Sequence, residues 1–182
     1  MIDSQQATAA LADIDDMVRR VRQSRIYELA SQLMVMWGVL VFAGYLVTWL
    51  VPPYAVIGWI AVYVIGIGGW GAFSAVNRPK SGVRSFDLKL LYALAMIIIF
   101  GVFCCVFGHF GPRQLSTFWP IYFMLFYSIA GLWFGYAFIV IGLTVSALTV
   151  VGYFYAGSAF DLWMAFVNGG GLILGGLWMR RS

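Results

Sequence analysis

The stretch LASQLMVMWGVLVFAGYLVTWLVPPYAVIGWIAVYVIGIGGWGAFSAVN, Leu29–Asn77, runs for 49 residues without an Asp, Glu, Lys or Arg. A bilayer core about 30 Å thick takes about 20 apolar residues per helix, so this run is long enough for two crossings. Pro52-Pro53 supplies the rigid turn between them. Three further stretches are equally free of charge: Leu90–Pro112, Gln114–Phe160 and Leu162–Met179. By length they hold one, two and one crossings. The sequence therefore predicts an all-α polytopic membrane bundle of six transmembrane helices arranged as three hairpins.

Composition agrees. Mean hydropathy is +0.90, 63% of residues are hydrophobic and 10% are charged, against about 25% charged in soluble domains. The first 28 residues hold four arginines and five acids and lack the apolar core of a cleaved signal, so span one is expected to act as the insertion signal. Two domains follow: a cytosolic amphipathic helix over 1–28 and a six-helix transmembrane domain over 29–182. In the first, Leu11, Ile14, Val18 and Val21 share a stripe, and Asp15 and Asp16 precede Arg19 and Arg20 by four residues. Such a helix can lie on the membrane surface, continue into span one or dock on a partner.

Lys and Arg favour cytoplasmic loops. Arg19, Arg20, Arg22 and Arg25 precede span one, Arg78, Lys80, Arg84 and Lys89 separate spans two and three, and Arg180 and Arg181 follow span six. Arg113 alone falls on the opposite side of a six-span chain. The expected location is the bacterial inner (cytoplasmic) membrane, multi-pass, with cytoplasmic N- and C-termini. Positive-inside topology accounts for the net charge of +4, and no nucleic-acid partner is implied.

Expected spans run over about 30–51, 54–76, 87–108, 118–131, 136–155 and the last uncharged run. The 47-residue run Gln114–Phe160 would measure about 70 Å as one helix, so a turn is placed at Gly131–Gly135. Gly44-Tyr45 precedes Trp70, and Gly152-Tyr153 precedes Trp178, at the same spacing. Gly108-His109 and Trp133 match one residue short. An internal two-helix repeat would give this pattern, as would interfacial tryptophans among 21 glycines.

Over Trp37–Val76 the order of Gly38 to Tyr45, Pro52-Pro53 and Gly66 to Trp70 resembles small six-span bacterial inner-membrane proteins, the three-hairpin acid-resistance membrane protein family among them. That resemblance implies a hairpin architecture and carries over no functional residue.

The candidate ligand site is Asn168-Gly169-Gly170-Gly171 in span six, with Trp37 and Tyr63 as deep aromatics. Three glycines weaken a helix, and freed backbone groups in lipid need a partner within protein or a water-lined cavity. The plainer reading is close helix packing through small residues. Trp37, Tyr45 and Tyr63 would line an apolar pocket. His109, Arg113 and Asp161 form a candidate polar cluster on the outer face, against the plainer reading of solvated loop residues. Cys105 and His109, four apart, share a face if both are helical, yet two ligands fall short of a structural zinc site, and packing is the simpler role for the cysteines.

No phosphate-binding loop, zinc-protease pair or nucleophile elbow is present in the sequence. No cofactor or metal is assigned, and no enzyme activity is expected. The expected function is that of a non-enzymatic sensor, regulator or accessory subunit. Its partners are the lipid bilayer, a protein met through residues 1–28 and the 77–89 loop, and a second copy as homo-oligomer. The alternative is a small-molecule binding or transport component with its site at the glycine break.

Overall fold

The computed structural model describes residues 4–76 and 88–181. The predicted loop Asn77–Arg84 and Asp87 lie outside the described residues. In chain order, α1 spans Ser4–Leu50, a 3-10 turn Pro52–Tyr54, α2 Ala55–Val76, α3 Leu88–Phe107, α4 Pro112–Phe134 and α5 Tyr136–Tyr155. A second 3-10 turn at Gly157–Ala159 leads to α6, Phe160–Met164, a π-helical turn at Ala165–Gly170 and α7, Gly171–Met179. No strand occurs among the described residues. Five segments are long and apolar enough to cross a membrane: Tyr27–Leu50, Pro52–Ala72, Pro112–Phe134, Tyr136–Tyr155 and Gly157–Met179. The apolar part of α3, Tyr92–Phe107, is shorter.

The N-terminal amphipathic segment is not a separate short helix. It continues into the first span as one helix of 47 residues, about 70 Å long. Nothing between Ser24 and Leu29 interrupts it, because neither proline nor glycine falls there. The predicted turn at Gly131–Gly135 is present. Helix α4 ends at Phe134, and Gly135, at φ 133° and ψ 155°, is the whole link to α5. Only glycine adopts that conformation without strain. Helix α4 begins six residues before the predicted Phe118, because Pro112 suits the first helical position. The Gln114 side chain there accepts the Gly111 N–H at 2.7 Å.

Three turns, near Pro52, His109 and Gly157, gather at one end of the bundle, where Arg113 reaches Tyr153 and Tyr45 reaches Ser116. At the other end Tyr27 packs edge-on against Phe138 with ring centroids 5.9 Å apart, and Tyr136 packs on Trp178. Met179 joins Tyr27 in the same buried cluster. The N-terminal extension and the C-terminal residues thus leave from one end.

Helices α1, α4, α5 and the α6–α7 rod build the core, with α2 flanking α1 and α3 flanking α4. The pairing differs from three simple hairpins. Helix α3 touches α4 sparingly, through Trp119 beside Gly101 and the Tyr122 hydroxyl donating to the Ile97 carbonyl at 2.9 Å. The closest neighbours are α4 and α5, and α1 lies antiparallel along the last rod. There the Ser31 hydroxyl donates to the Gly176 carbonyl at 2.6 Å. A Cβ at Gly38 would stand 2.8 Å from the Gly169 carbonyl oxygen, and one at Gly169 would stand 2.6 Å from the Phe42 Cα. Small residues let these two backbones meet.

A regularity links the hairpins. A side chain added at Gly44, Gly101 or Gly152 would meet the ring of Trp59, Trp119 or Trp163, each on the following rod. These contacts involve other tryptophans than Trp70 and Trp178 of the 26-residue spacing. The outward faces of α2 and α3 are apolar and open: Val56 is 72% exposed and Phe107 69%.

Candidate functional site

Pro120 lies buried inside α4. Without an N–H it cannot satisfy the carbonyl four residues earlier, that of Ser116. The Tyr45 hydroxyl, from α1, donates to that oxygen at 2.9 Å. Tyr45 is 2% exposed, and the Asn168 side chain lies within electrostatic reach of its hydroxyl. A defect in one helix is therefore satisfied by a second, whose Tyr45 packs in one buried cluster with Phe160, Met164 and Ala165 of the last rod.

Asn168 occupies the π-helical turn and is buried. The Asn-Gly-Gly-Gly sequence does not break the rod, which keeps helical dihedrals at Ala165, Gly170 and Gly171. The weak helical preference of glycine is instead expressed as a widened turn, a feature common at functional sites. The three glycines face different neighbours. A Cβ added at Gly169 would meet Phe42, one at Gly171 would stand 3.0 Å from Val145 Cγ2, and one at Gly170 would meet nothing within 4 Å.

Thr149 on α5 is fully buried, and its hydroxyl has no hydrogen-bond partner. Along the α5 interface Ile141 meets Gly175, Val145 meets Gly171 and Gly152 meets Trp163. This register sets Thr149 level with Val167 and Asn168. An orphan hydroxyl and a buried carboxamide thus stand at the height of the π turn.

The predicted aromatics form a ladder on the α1–α2 seam. Tyr45 and Trp59 pack edge-on at 4.9 Å, Trp59 and Tyr63 at 6.1 Å, and Tyr63 and Trp37 at 6.4 Å. The Trp59 indole donates to the Thr48 hydroxyl at 3.1 Å, and that hydroxyl donates to the Gly44 carbonyl at 2.9 Å. Tyr63 is 44% exposed. Trp37 and Tyr63 are therefore neighbours of one another and join Tyr45 through the ring of Trp59.

At the Pro52 end, the Arg113 guanidinium donates to the Tyr153 carbonyl at 2.8 Å and lies 4.9 Å from the Phe160 ring centre and 5.5 Å from that of Tyr153. Asp161, half-buried, is within its electrostatic reach. The guanidinium's contacts are a carbonyl and two ring faces. His109 is exposed in the α3–α4 turn at φ 49°. Because α3 ends at Phe107, His109 does not share a helical face with Cys105. Among the described residues no three His, Cys, Asp or Glu side chains gather as metal ligands.

Sequence reading overlooked Ser116, Pro120 and Thr149. A proline within a helix was a usable signal for the orphaned carbonyl at Ser116; nothing in the sequence marks Thr149. Compared with protein-family models, curated proteins and solved structures, the chain matches none.

Proposed function

We propose that the chain is a non-enzymatic, six-span protein of the bacterial inner membrane with both termini cytoplasmic. In this reading it serves as a sensor, regulator or accessory subunit through protein contacts of its N-terminal helix and the 77–89 loop. One observation carries it: α1 continues from Tyr27 back to Ser4 beyond the apolar span, and Ile14 and Met17 on that extension are 52% and 56% exposed. A rigid helix that carries apolar side chains out of the bundle is suited to meeting another helix. The four charge-free stretches and the basic residues flanking them support the topology.

A photo-crosslinking residue at Met17, in the full chain in its native membrane, tests this. Protein adducts are expected well above those of the same residue at Ile99, on the outward face of α3. Equal yields would reject the reading.

A second reading has its own observation. The orphan Thr149 hydroxyl and the buried Asn168 at the π turn favour a small neutral ligand in the bundle, as a binding or transport component would hold. Native mass spectra of the gently extracted protein should then show an added small mass that Asn168→Ala with Thr149→Val removes. A bare protein mass would reject it.

A further inference from the structure

Helical hydroxyls in this chain usually satisfy themselves locally. Thr48, Thr117 and Ser128 each donate to the carbonyl four residues back, at 2.9 Å. Thr149 has the Val145 carbonyl at that position and does not use it. Among the described residues, its oxygen is the one buried side-chain polar atom without a hydrogen-bond partner. An unpaired hydroxyl in an apolar interior is costly, and more so in lipid, where no bulk water stands in.

Helix register fixes what this hydroxyl faces. Thr149 lies seven residues after Gly142, where a Cβ would meet Ser128 and Met124 on α4, and four after Val145, which borders Gly171 on the last rod. At 100° per residue its direction falls between those two, so it looks into the space shared by α4, α5 and the rod. Asn168 faces the same space from the rod: it is 6% exposed, while Phe166 and Leu174 mark the opposite, outward side. Arg113 with Tyr153 and Ser128 beside Gly142 set the α4–α5 register, which brings the buried Pro120 to the level of Thr149. Val145 and Met164, one turn along from Thr149 and Asn168, are buried and apolar. The Tyr45 hydroxyl is already committed to the Ser116 carbonyl.

Resting on the ligand reading of this site, we propose that it takes a small uncharged alcohol. The ligand oxygen accepts the Thr149 hydroxyl proton and donates its own proton to the Asn168 carboxamide oxygen, and the apolar body lies toward Pro120, Val145 and Met164. One hydroxyl oxygen, being both acceptor and donor, answers both side chains. An ion does not suit the site, because the stretches Gln114–Phe160 and Leu162–Met179 bring no formal charge to this depth. A polyol would bury further hydroxyls against apolar walls. Met164, unbranched and adaptable, is the wall that yields to the ligand body.

The test uses the full chain in its native membranes and an octanol that carries a photoreactive diazirine on its alkyl chain. The comparison probe is the diazirine-bearing octane without the hydroxyl. Below saturation, the alcohol should label the segments holding Val145 and Met164 about tenfold more in the unmodified chain than in Thr149→Val, the weight of one hydrogen bond. Excess 1-octanol should compete, Thr149→Ser should keep the labelling, and the octane should label these segments equally in all three chains. Thr149→Val matches threonine in shape, and Thr149→Ser separates the hydroxyl from any effect of packing. Equal alcohol labelling in the unmodified chain and Thr149→Val, or the same loss in Thr149→Ser as in Thr149→Val, overturns the proposal. A bound mass in native spectra that Asn168→Ala with Thr149→Val removes, beside octanol labelling indifferent to Thr149, would keep the ligand reading and reject the alcohol. A bare protein mass with the same indifference would reject both.

Discussion

At the scale of single residues, the Tyr45 hydroxyl, the Ser116 carbonyl and Pro120 form a unit that can be tested as one. Tyr45→Phe leaves the carbonyl unsatisfied in an apolar interior and should cost about 1–3 kcal/mol of unfolding free energy. Pro120→Ala restores an N–H to the helix, so in the double variant the carbonyl has a local donor again and much of that loss should be recovered. A double-mutant cycle by reversible unfolding in mixed micelles measures this; additive losses would mean that the Tyr45 hydroxyl and Pro120 act independently, and no loss in Tyr45→Phe would mean that Tyr45 acts through its ring alone. Thr149 makes the opposite expectation. Thr149→Val keeps the shape and removes a buried hydroxyl with no partner, so stability should hold or rise by up to about 1 kcal/mol. A clear loss in the same assay would show that the hydroxyl is satisfied by something bound.

At the scale of elements, the last rod separates two uses of glycine within one motif. Gly169→Ala drives a methyl into the Phe42 backbone, where no side chain can rotate away, and should cost about 1–3 kcal/mol by overpacking. Gly170→Ala meets open space and should gain up to about 1 kcal/mol from helix propensity. Thermal aggregation midpoints of the two variants should move in opposite directions. Similar losses at both positions would mean that the π turn itself, rather than the crossing with α1, demands glycine. The sequence made the weakness at Asn168–Gly171 legible, because three successive glycines are unusual in a helix. It did not show whether that weakness appears as a break or as a widened turn. The choice depends on the neighbours that hold the rod straight, Phe42 on α1 and Val145 on α5. The start of α4 at Pro112 precedes the expected Phe118 for a related reason. Pro112 to Thr117 is mostly polar and adds little apolar length, yet the helix takes these residues in through proline at its first turn.

At the scale of the whole molecule, the gathering of three turns at one end, with Gly135 at the other, makes topology measurable. Single cysteines at Ile14 and Arg181, in a chain without Cys104 and Cys105, should react with a membrane-impermeant maleimide from one side only, and one at Gln114 from the other. Reaction of Ile14 and Arg181 from opposite sides would rule out an even number of crossings. The sequence by itself determined the helical class, the positions of most turns and the expected sidedness, because apolar length, Pro52-Pro53, Gly135 and the distribution of Lys and Arg are local or additive properties. Only the tertiary structure decided which helices are neighbours, that α1 lies along the last rod, that Tyr45 satisfies the carbonyl freed by Pro120, and that the N-terminal helix is continuous with the first span. The reason is physical: an apolar helix presents much the same surface to lipid as to another helix, so hydropathy cannot assign its partners. Those follow from glycine contacts, edge-on rings and stray carbonyls, which acquire meaning only when the helices are side by side.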